Sequence, residues 1–193
     1  MNILHLDSSI TGEHSASRTI SAAIVRSLTE ADPAARVIYR DLAAAPLDHL
    51  TLAHLGAPEA RAELDAFHAA DVIVIGAGMY NLSLPSQLKA WIDRIMVAGE
   101  TFRYTATGPE GLAGGKRVIV ALARGGLYGE GSSARAVEHA ERYLRDVLAF
   151  IGITDAEFVI AEGIALGHEA RAAAVAAALE QAAAVAAPAL AEL

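Results

Sequence analysis

Apolar runs of strand length alternate along this chain with segments in which apolar residues recur every three or four positions. The runs predict five strands, at residues 2–6, 36–41, 71–77, 117–123 and 155–161. The runs at 72–75 and 118–122 contain only Val, Ile, Leu and Ala, which is typical of strands covered on both faces of a parallel sheet.

The segments between the strands have the spacing of amphipathic helices. Their periodic positions are Ile20, Ile24 and Leu28 after the first strand, Leu88, Trp91, Ile92 and Ile95 after the third, and Val137, Ala140, Leu144, Val147, Leu148 and Ile151 after the fourth. The segment from Glu169 to Leu193 is rich in alanine, the best helix former, and predicts a C-terminal helix.

Strand and helix units in succession predict an α/β fold: one domain over residues 1–193, with a doubly wound parallel sheet and right-handed crossovers. Such sheets bind ligands at the carboxyl ends of their strands, near the point where the strand order reverses. The predicted loops at that edge are 7–17, 77–85 and 123–133. We therefore expect the chemistry of the protein in these three loops.

Composition and charge narrow the range of partners. The 193 residues carry a net charge of −8, which argues against nucleic acid and anionic membranes, because both select clustered Lys and Arg. The chain has no cysteine, which excludes disulfides, thiol catalysis and iron–sulfur clusters. Its seven histidines show no metal-like pairing, so we expect no metal site. No signal peptide or membrane-length apolar run is evident, and we expect a cytoplasmic protein.

The first loop is rich in hydroxyl groups and leads into a helix that begins near Arg18. Ser9, Ser15 and Ser17 lie where the carboxyl end of a strand meets a helix N-terminus. Unpaired amides and the positive end of the helix dipole favour an anion such as phosphate at that place. The structural alternative is that Ser15 or Ser17 only caps the helix.

The other two loops offer contacts to a flat ligand. In the second, glycines precede Met79, Tyr80 and Asn81, which provide soft contact area and an amide edge. In the third, Arg124 offers positive charge, and Gly125 and Gly126 can present backbone N–H groups. An ordinary strand-to-helix turn remains the alternative for the second loop.

Two connections are unusually long. Leu42–Glu59 has little periodicity. In Gly99–Lys116 an extended strip at Phe102–Thr105 is expected to fold back on Glu110–Leu112. Loops of this length in a compact domain are functional or mobile more often than accidental.

Several motifs occur in register along nearly the whole chain. They are Ile3-Leu4-His5-Leu6-Asp7-Ser8-Ser9, Met79-Tyr80-Asn81, Thr101-Phe102-Arg103-Tyr104-Thr105, Gly108-Pro109-Glu110-Gly111-Leu112 and Arg124-Gly125-Gly126. With them the chain resembles the FMN-dependent NADH:quinone oxidoreductases, also called azoreductases, of flavodoxin-like fold. The resemblance implies a five-stranded sheet in the order 2-1-3-4-5.

By this resemblance one FMN per subunit is bound by the three loops. Its phosphate would be held by Ser9, Ser15, Ala16 and Ser17, its ribityl chain and one side of the isoalloxazine by Met79, Tyr80, Asn81 and Leu82, and its pyrimidine edge by Ala123, Arg124, Gly125 and Gly126. The chain departs from the family at Ala16, Leu82 and Ala123, where a polar residue, an aromatic residue and serine are common. These departures and the short 42–59 connection bear on the substrate range.

The resemblance also implies the reaction. Hydride would pass from NADH or NADPH through flavin N5 to quinones or azo compounds by a ping-pong mechanism, with no catalytic side chain. Phe102, Tyr104 and Tyr128 would form aromatic walls of the substrate pocket. Family members are homodimers with sites at the subunit boundary, so the 99–116 loop is expected to reach the partner's flavin.

Two alternatives to this enzyme stay open. A flavodoxin-type electron carrier would bind FMN without its own NADH chemistry. A phosphodiesterase, an older label for such chains, would need metal ligands or an activated nucleophile, which the sequence lacks.

Overall fold

The structure, a computed structural model, describes residues 1–54 and 61–186. Its strands in chain order are β1 (Asn2–Asp7), β2 (Arg36–Asp41), β3 (Val72–Gly78), β4 (Phe102–Thr105), β5 (Gly108–Gly111), β6 (Arg117–Ala123) and β7 (Glu157–Ala161). Five form one parallel sheet in the order β2-β1-β3-β6-β7, while β4 and β5 form an antiparallel hairpin. The α/β class, the doubly wound sheet and the order 2-1-3-4-5 are thereby confirmed. The fifth parallel strand begins at Glu157, two residues later than predicted.

Helices cover both faces of the sheet. They are α1 (Ala16–Ala31), α2 (Ala62–Ala69), α3 (Ser86–Ile95), α4 (Ala140–Phe150) and α5 (His168–Ala186), with short 3-10 turns at Gly12–His14, Leu52–His54 and Arg135–Val137. The apolar sides of α2, α3 and α4 pack on one face, and those of α1 and α5 pack on the other. Because it is covered on both sides, β3 is buried along its full length, as its continuous apolar run predicts.

The face under α1 and α5 combines large side chains from α1 with small ones from α5. Ile20, Ile24 and Leu28 of α1 are fully buried there, together with Ala178 and Ala182 of α5. Burial of an isoleucine or leucine stabilises a fold by about 1.5–3 kcal/mol, whereas a methyl-sized group contributes about 0.8 kcal/mol. Few large apolar side chains therefore hold α5 in place.

Two of the predicted positions of the fourth helix lie outside it, Ile151 as the buried residue that directly follows α4 and Val137 before it. Val137 belongs to the 3-10 turn Arg135–Val137 and is 42% exposed, so the prediction that it lines the fourth helix is wrong. The physical reason is Glu138, whose Oε1 accepts hydrogen bonds from the N–H groups of Ala140 (3.0 Å) and Glu141 (2.9 Å). A side chain that accepts from first-turn amides marks a helix start, and α4 accordingly begins at Ala140.

The connection between α3 and β6 forms the β4–β5 hairpin, as the predicted fold-back at 102–112 requires. Phe102 pairs with Gly111 across it. Its base is fixed on one side by the buried Thr101, whose Oγ1 donates a hydrogen bond to the Ile95 carbonyl oxygen at 2.7 Å. On the other side, Gly111 lies so close to the end of α4 that a Cβ there would be 2.1 Å from the Gly152 nitrogen.

Two predictions extend beyond the described residues. The connection predicted at Leu42–Glu59 is described as far as His54, and the C-terminal helix predicted at 169–193 as far as Ala186. Positions 55–60 and 187–193 lie outside the described residues. None of the helices in the described ranges has both the length and the apolar character needed to cross a membrane.

Candidate functional site

A cleft of about 460 Å³ opens at the edge where the sequence predicts the ligand, at the carboxyl ends of β1, β3 and β6. The neighbouring strands β1 and β3 are followed by helices on opposite faces of the sheet, so the cleft lies where the strand order reverses. The lining residues are Ser9, Thr11, His14, Ser15, Ala16, Ser17, Gly78, Met79, Tyr80, Ala123, Gly125, Ile164, Ala165 and Arg171.

The first loop ends in a capped helix start. Ser15 Oγ accepts a hydrogen bond from the Arg18 N–H at 3.2 Å and lies 3.1 Å from Ser17 Oγ, so Ser15 is the cap that the structural alternative predicts. The N–H groups of Ala16 and Ser17 have no acceptor within the described ranges, as expected in the first turn of a helix. Both residues line the cleft, which therefore has free donors for an anion.

Arg18 holds the first loop against the sheet. Its Nη2 donates a hydrogen bond to the Ser9 carbonyl oxygen at 2.9 Å, and its guanidinium makes two bonds to the Asp41 carboxylate at 2.6 and 2.7 Å. The hydrogen bonds from Arg18 lower the pKa of Asp41 to about 2. The Arg18–Asp41 pair stays charged at neutral pH, and the hydrogen bonds of Arg18 hold the first loop in its conformation.

A buried polar cluster lies beneath this loop. Asp7 accepts hydrogen bonds from Ser21 Oγ (2.8 Å) and Tyr39 Oη (3.1 Å), and His5 Nε2 lies 3.0 Å from Ser21 Oγ. Burial raises the pKa of Asp7, but His5 and the two hydroxyl donors outweigh it and lower that pKa overall. Burial and the Asp7 carboxylate raise the pKa of Tyr39 to about 12. Gly76 leaves room for the carboxylate, since a Cβ there would lie 2.2 Å from Asp7 Oδ1.

The second loop contains a tight two-residue turn. Tyr80 and Ser83 exchange backbone hydrogen bonds at 2.8 and 3.0 Å, and the residues between them, Asn81 and Leu82, have φ values of +48° and +71°. Positive φ at both central positions is the pattern of a type I′ turn, which asparagine tolerates and leucine adopts only with strain. The turn holds Tyr80 across the first loop, where its hydroxyl lies 2.9 Å from Ser9 Oγ.

The third loop is joined to its neighbours through the backbone. The Met79 N–H donates a hydrogen bond to the Ala123 carbonyl oxygen at 2.8 Å, and the Ala165 N–H donates to the Gly125 carbonyl oxygen at 3.0 Å. A Cβ on Gly125 would lie 3.4 Å from Ala165 Cβ. That is an ordinary van der Waals distance, so the neighbouring residues do not require glycine here, but its lack of a side chain leaves the backbone open to close approach by a ligand.

Most of the predicted cofactor residues line the cleft. Those in its wall are Ser9, Ser15, Ala16, Ser17, Met79, Tyr80, Ala123 and Gly125. Asn81, Leu82, Arg124 and Gly126 belong to the same loops but not to the wall. Their contact with a ligand stays a prediction.

The Arg124 side chain points away from the cleft. It is 2% exposed, and its guanidinium pairs with Glu138 (3.7 Å), Glu141 and Glu162 (3.4 Å). Burial raises the pKa of Glu141, but Arg145 and Arg124 together lower it below its ordinary value. The expected positive charge of Arg124 is thus neutralised by this acidic cluster and is not presented to the cleft.

Of the aromatic residues predicted as substrate-pocket walls, Phe102 and Tyr104 lie together on the hairpin with ring centroids 5.5 Å apart, whereas Tyr128 lies elsewhere. Phe102 packs on Phe150 with ring centroids 4.9 Å apart, and Tyr104 is 75% exposed on the hairpin. Tyr128 lines a second cavity of about 1000 Å³, which it shares with Arg124. None of the three belongs to the wall of the cleft.

Some cleft residues were missed by the sequence analysis. Ile164 and Ala165 follow β7, and Arg171 lies in the first turn of α5. The rule that ligands bind at the carboxyl ends of parallel strands could have indicated the first two. Arg171 carries no such signal, because it lies in an alanine-rich helix.

The chemistry of the cleft fits a flat ligand that carries a phosphate. Hydroxyl and amide donors gather at the start of α1, glycine and alanine leave a smooth wall, and no carboxylate from the described residues lines the cleft. Its volume is within the range of small-molecule sites, about 300–1,000 Å³. Across residues 1–54 and 61–186, no group of three or more His, Cys, Asp or Glu side chains is arranged to hold a metal ion. The residues present therefore fit FMN, which combines a phosphate with a flat ring system.

Comparisons with known proteins point the same way. The family described as having a flavodoxin-like fold matches residues 1–186. An FMN-dependent NADH:quinone oxidoreductase of Methylorubrum extorquens is 58% identical, over 96% of this chain and 98% of that protein. An azoreductase from Bacillus anthracis str. Sterne has a TM-score of 0.87 at 32% identity, over 96% of this chain and 98% of that chain. An FMN-dependent NADH-azoreductase from Bacillus anthracis str. Ames Ancestor, solved in complex with FMN, has a TM-score of 0.86 at 25% identity, over 97% and 99%.

These similarities extend over nearly the whole chain and agree with the strand order and the place of the cleft. The chain belongs to the flavodoxin-like family of FMN-dependent NADH:quinone oxidoreductases.

Proposed function

We propose that this protein is an FMN-dependent oxidoreductase that transfers hydride from NADH to quinones and reductively cleaves azo compounds. The observation that carries the proposal is the cleft, where free amide donors of α1 meet a smooth, carboxylate-free wall. The 58% identity to a named FMN-dependent NADH:quinone oxidoreductase supports it.

Three loops would hold the cofactor. Its phosphate would be bound by the hydroxyl groups of Ser9, Ser15 and Ser17 and by the first-turn amides of α1. Residues 79–82 would line the ribityl chain and one side of the ring. Residues 123–126 would offer backbone groups to the pyrimidine edge.

FMN, when bound, supplies the hydride chemistry at its N5 atom, so no side chain needs to act as nucleophile or general base. The protein binds and orients the reactants and shields them from water. We propose that NADH and the electron acceptor use the same space in turn, a ping-pong mechanism, and that the protein acts in the cytoplasm.

We also propose that the protein is a homodimer with one FMN per subunit. The hairpin supports this, because Tyr104 is 75% exposed on an element that is anchored at its base and is not part of its own cleft wall. In a dimer the hairpin would bring its aromatic residues to the partner's cleft. Sedimentation equilibrium of wild-type protein tests the assembly, and a monomer would contradict it.

The function is tested by the visible spectrum of FMN-loaded protein in the absence of oxygen. We expect NADH to bleach the flavin band, and a quinone or azo dye added afterwards to restore it. Free FMN at the same concentration is the control for reduction without protein, and NADPH in a parallel cell measures the donor preference. Bound flavin that stays yellow with NADH and NADPH would contradict the proposed reaction and favour an electron carrier.

A further inference from the structure

Arg171 provides the only guanidinium among the cleft-lining residues of the described chain. It lies in the first turn of α5, and its side chain crosses to the first loop, where Nη2 donates a hydrogen bond to the His14 carbonyl oxygen. His14 directly precedes Ser15, the cap of α1. The guanidinium is therefore at the end of the cleft where the free amide donors of α1 lie.

The charge of Arg171 has no acidic partner in the described part of the chain. Arg18, the nearest arginine along the first loop, is paired with Asp41, and Arg124 is paired with its acidic cluster. Arg171 makes no ion pair within residues 1–54 and 61–186, and no carboxylate lines the cleft. Although the chain has a net charge of −8, the Arg171 guanidinium is thus a positive charge without an acidic partner at a cleft that also has free hydrogen-bond donors.

Arg171 also has donors to spare. A guanidinium carries five N–H donors in one plane, and within the described ranges the Arg171 side chain makes one hydrogen bond, to His14. Guanidinium groups bind phosphate oxygens through charge-assisted and often bidentate bonds, which are among the strongest hydrogen bonds in proteins.

We propose that Arg171 binds the phosphate group of FMN and makes the cleft prefer FMN to riboflavin, which lacks that phosphate. The inference rests on the proposed function, because it assumes that the cleft takes FMN. It assigns the first turn of α5 to the phosphate site, together with the start of α1.

The test compares the dissociation constants of FMN and riboflavin, measured by quenching of flavin fluorescence on the apo form of the full chain. We expect Arg171→Met to weaken FMN binding about tenfold or more, as for loss of one charge-assisted bond. Riboflavin binding should stay within about twofold of wild type, and Arg171→Lys, which keeps the charge, should lie between. Arg26→Met removes the same charge from an exposed site on α1 and is the matched control, expected to bind both flavins as wild type does.

If Arg171 only held the His14 carbonyl group, its positive charge would not matter. Variants that differ in charge therefore distinguish that role from phosphate binding. Arg171→Gln keeps an N–H donor without the charge, so we expect it to behave like Arg171→Met. Added salt should weaken FMN binding to wild type, because it screens the ion pair, and weaken it less in Arg171→Met. A Gln variant that binds FMN as wild type does, or a salt dependence unchanged by Arg171→Met, overturns the proposal.

Two other results distinguish failure of the Arg171 proposal from failure of the proposed function. If wild type binds FMN and Arg171→Met binds it within about twofold, or if both flavins are weakened equally, Arg171 does not recognise the phosphate. If wild type binds neither flavin, the proposed function itself fails.

Discussion

Replacing Gly111 by alanine would drive the β4–β5 hairpin away from the end of α4. The added Cβ would lie 2.1 Å from the backbone nitrogen of Gly152 and 2.3 Å from the carbonyl carbon of Ile151. Atoms in contact are about 3.5 Å apart or more. Because both neighbours are backbone atoms, no side-chain rotation relieves the clash, and the hairpin must move by more than about 1 Å.

That movement disrupts two contacts that fix the hairpin. The Ala113 N–H donates a hydrogen bond to the Ile151 carbonyl oxygen at 2.8 Å, worth about 0.5–1.5 kcal/mol. The packing of Phe102 on Phe150, with centroids 4.9 Å apart, is worth about 0.5–1.5 kcal/mol. With the strain of overpacking, about 1–3 kcal/mol, we expect Gly111→Ala to lower the free energy of unfolding by about 2–6 kcal/mol.

Urea denaturation followed by circular dichroism measures this loss. Gly114→Ala is the matched control, because a Cβ there would lie 3.3 Å from the Gly152 carbonyl oxygen and needs a shift of only a few tenths of an ångström. We expect this control to cost less than about 1 kcal/mol. A Gly111→Ala variant within about 0.5 kcal/mol of wild type, or a control that loses as much, would refute the reasoning.

The remaining predictions concern charge and capping. Arg124→Met removes the counter-charge of the buried Glu138 and of the partly buried Glu141 and Glu162, so we expect about 3–5 kcal/mol less stability near neutral pH, partly recovered in acid as Glu141 takes up a proton. Thermal unfolding at both pH values tests this, with Arg145→Met, whose side chain is 49% exposed, as a control that should lose less. The pKa of Asp41 is lowered to about 2 in the folded protein, so its ionised form stabilises the fold above its unfolded pKa of about 3.9 and ceases to do so as the pH falls through 2. Asp41→Asn should therefore cost about 1 kcal/mol near neutral pH, and a cost in urea denaturation that persists unchanged near pH 2 would contradict this. Ser15→Ala should lower the free energy of unfolding by about 1 kcal/mol through loss of the α1 cap and should weaken FMN binding, whereas Ser86→Ala on the surface of α3 should do neither.

The sequence predicts the sheet and the place of the cleft because both follow from local patterns. The apolar runs at 72–75 and 118–122 are typical of strands that are buried on both faces, and they are the centres of β3 and β6. Once the strands are parallel, their carboxyl ends share one edge, and the three loops must meet there.

The direction of individual side chains could not be predicted in the same way. Arg124 turns from the cleft because Glu138, Glu141 and Glu162 surround its guanidinium, and these partners come from segments far along the chain. The sequence predicts too early a start for α4 because glutamate is not a usual capping residue, although Glu138 accepts hydrogen bonds from the first-turn amides here.

The alanine-rich packing of α5 has a consequence for dynamics. Since the fully buried residues of α5 in this cluster, Ala178 and Ala182, have only methyl side chains, α5 itself loses little apolar burial when it detaches, and its local opening costs less free energy than global unfolding. The same helix carries Arg171 in its first turn, so an anion bound there stabilises only the docked helix. Cofactor binding should therefore slow hydrogen exchange in α5 far more than in β3. Binding of the cofactor in the cleft and docking of the C-terminal helix would then be coupled, so that a measurement of either one reports on the other.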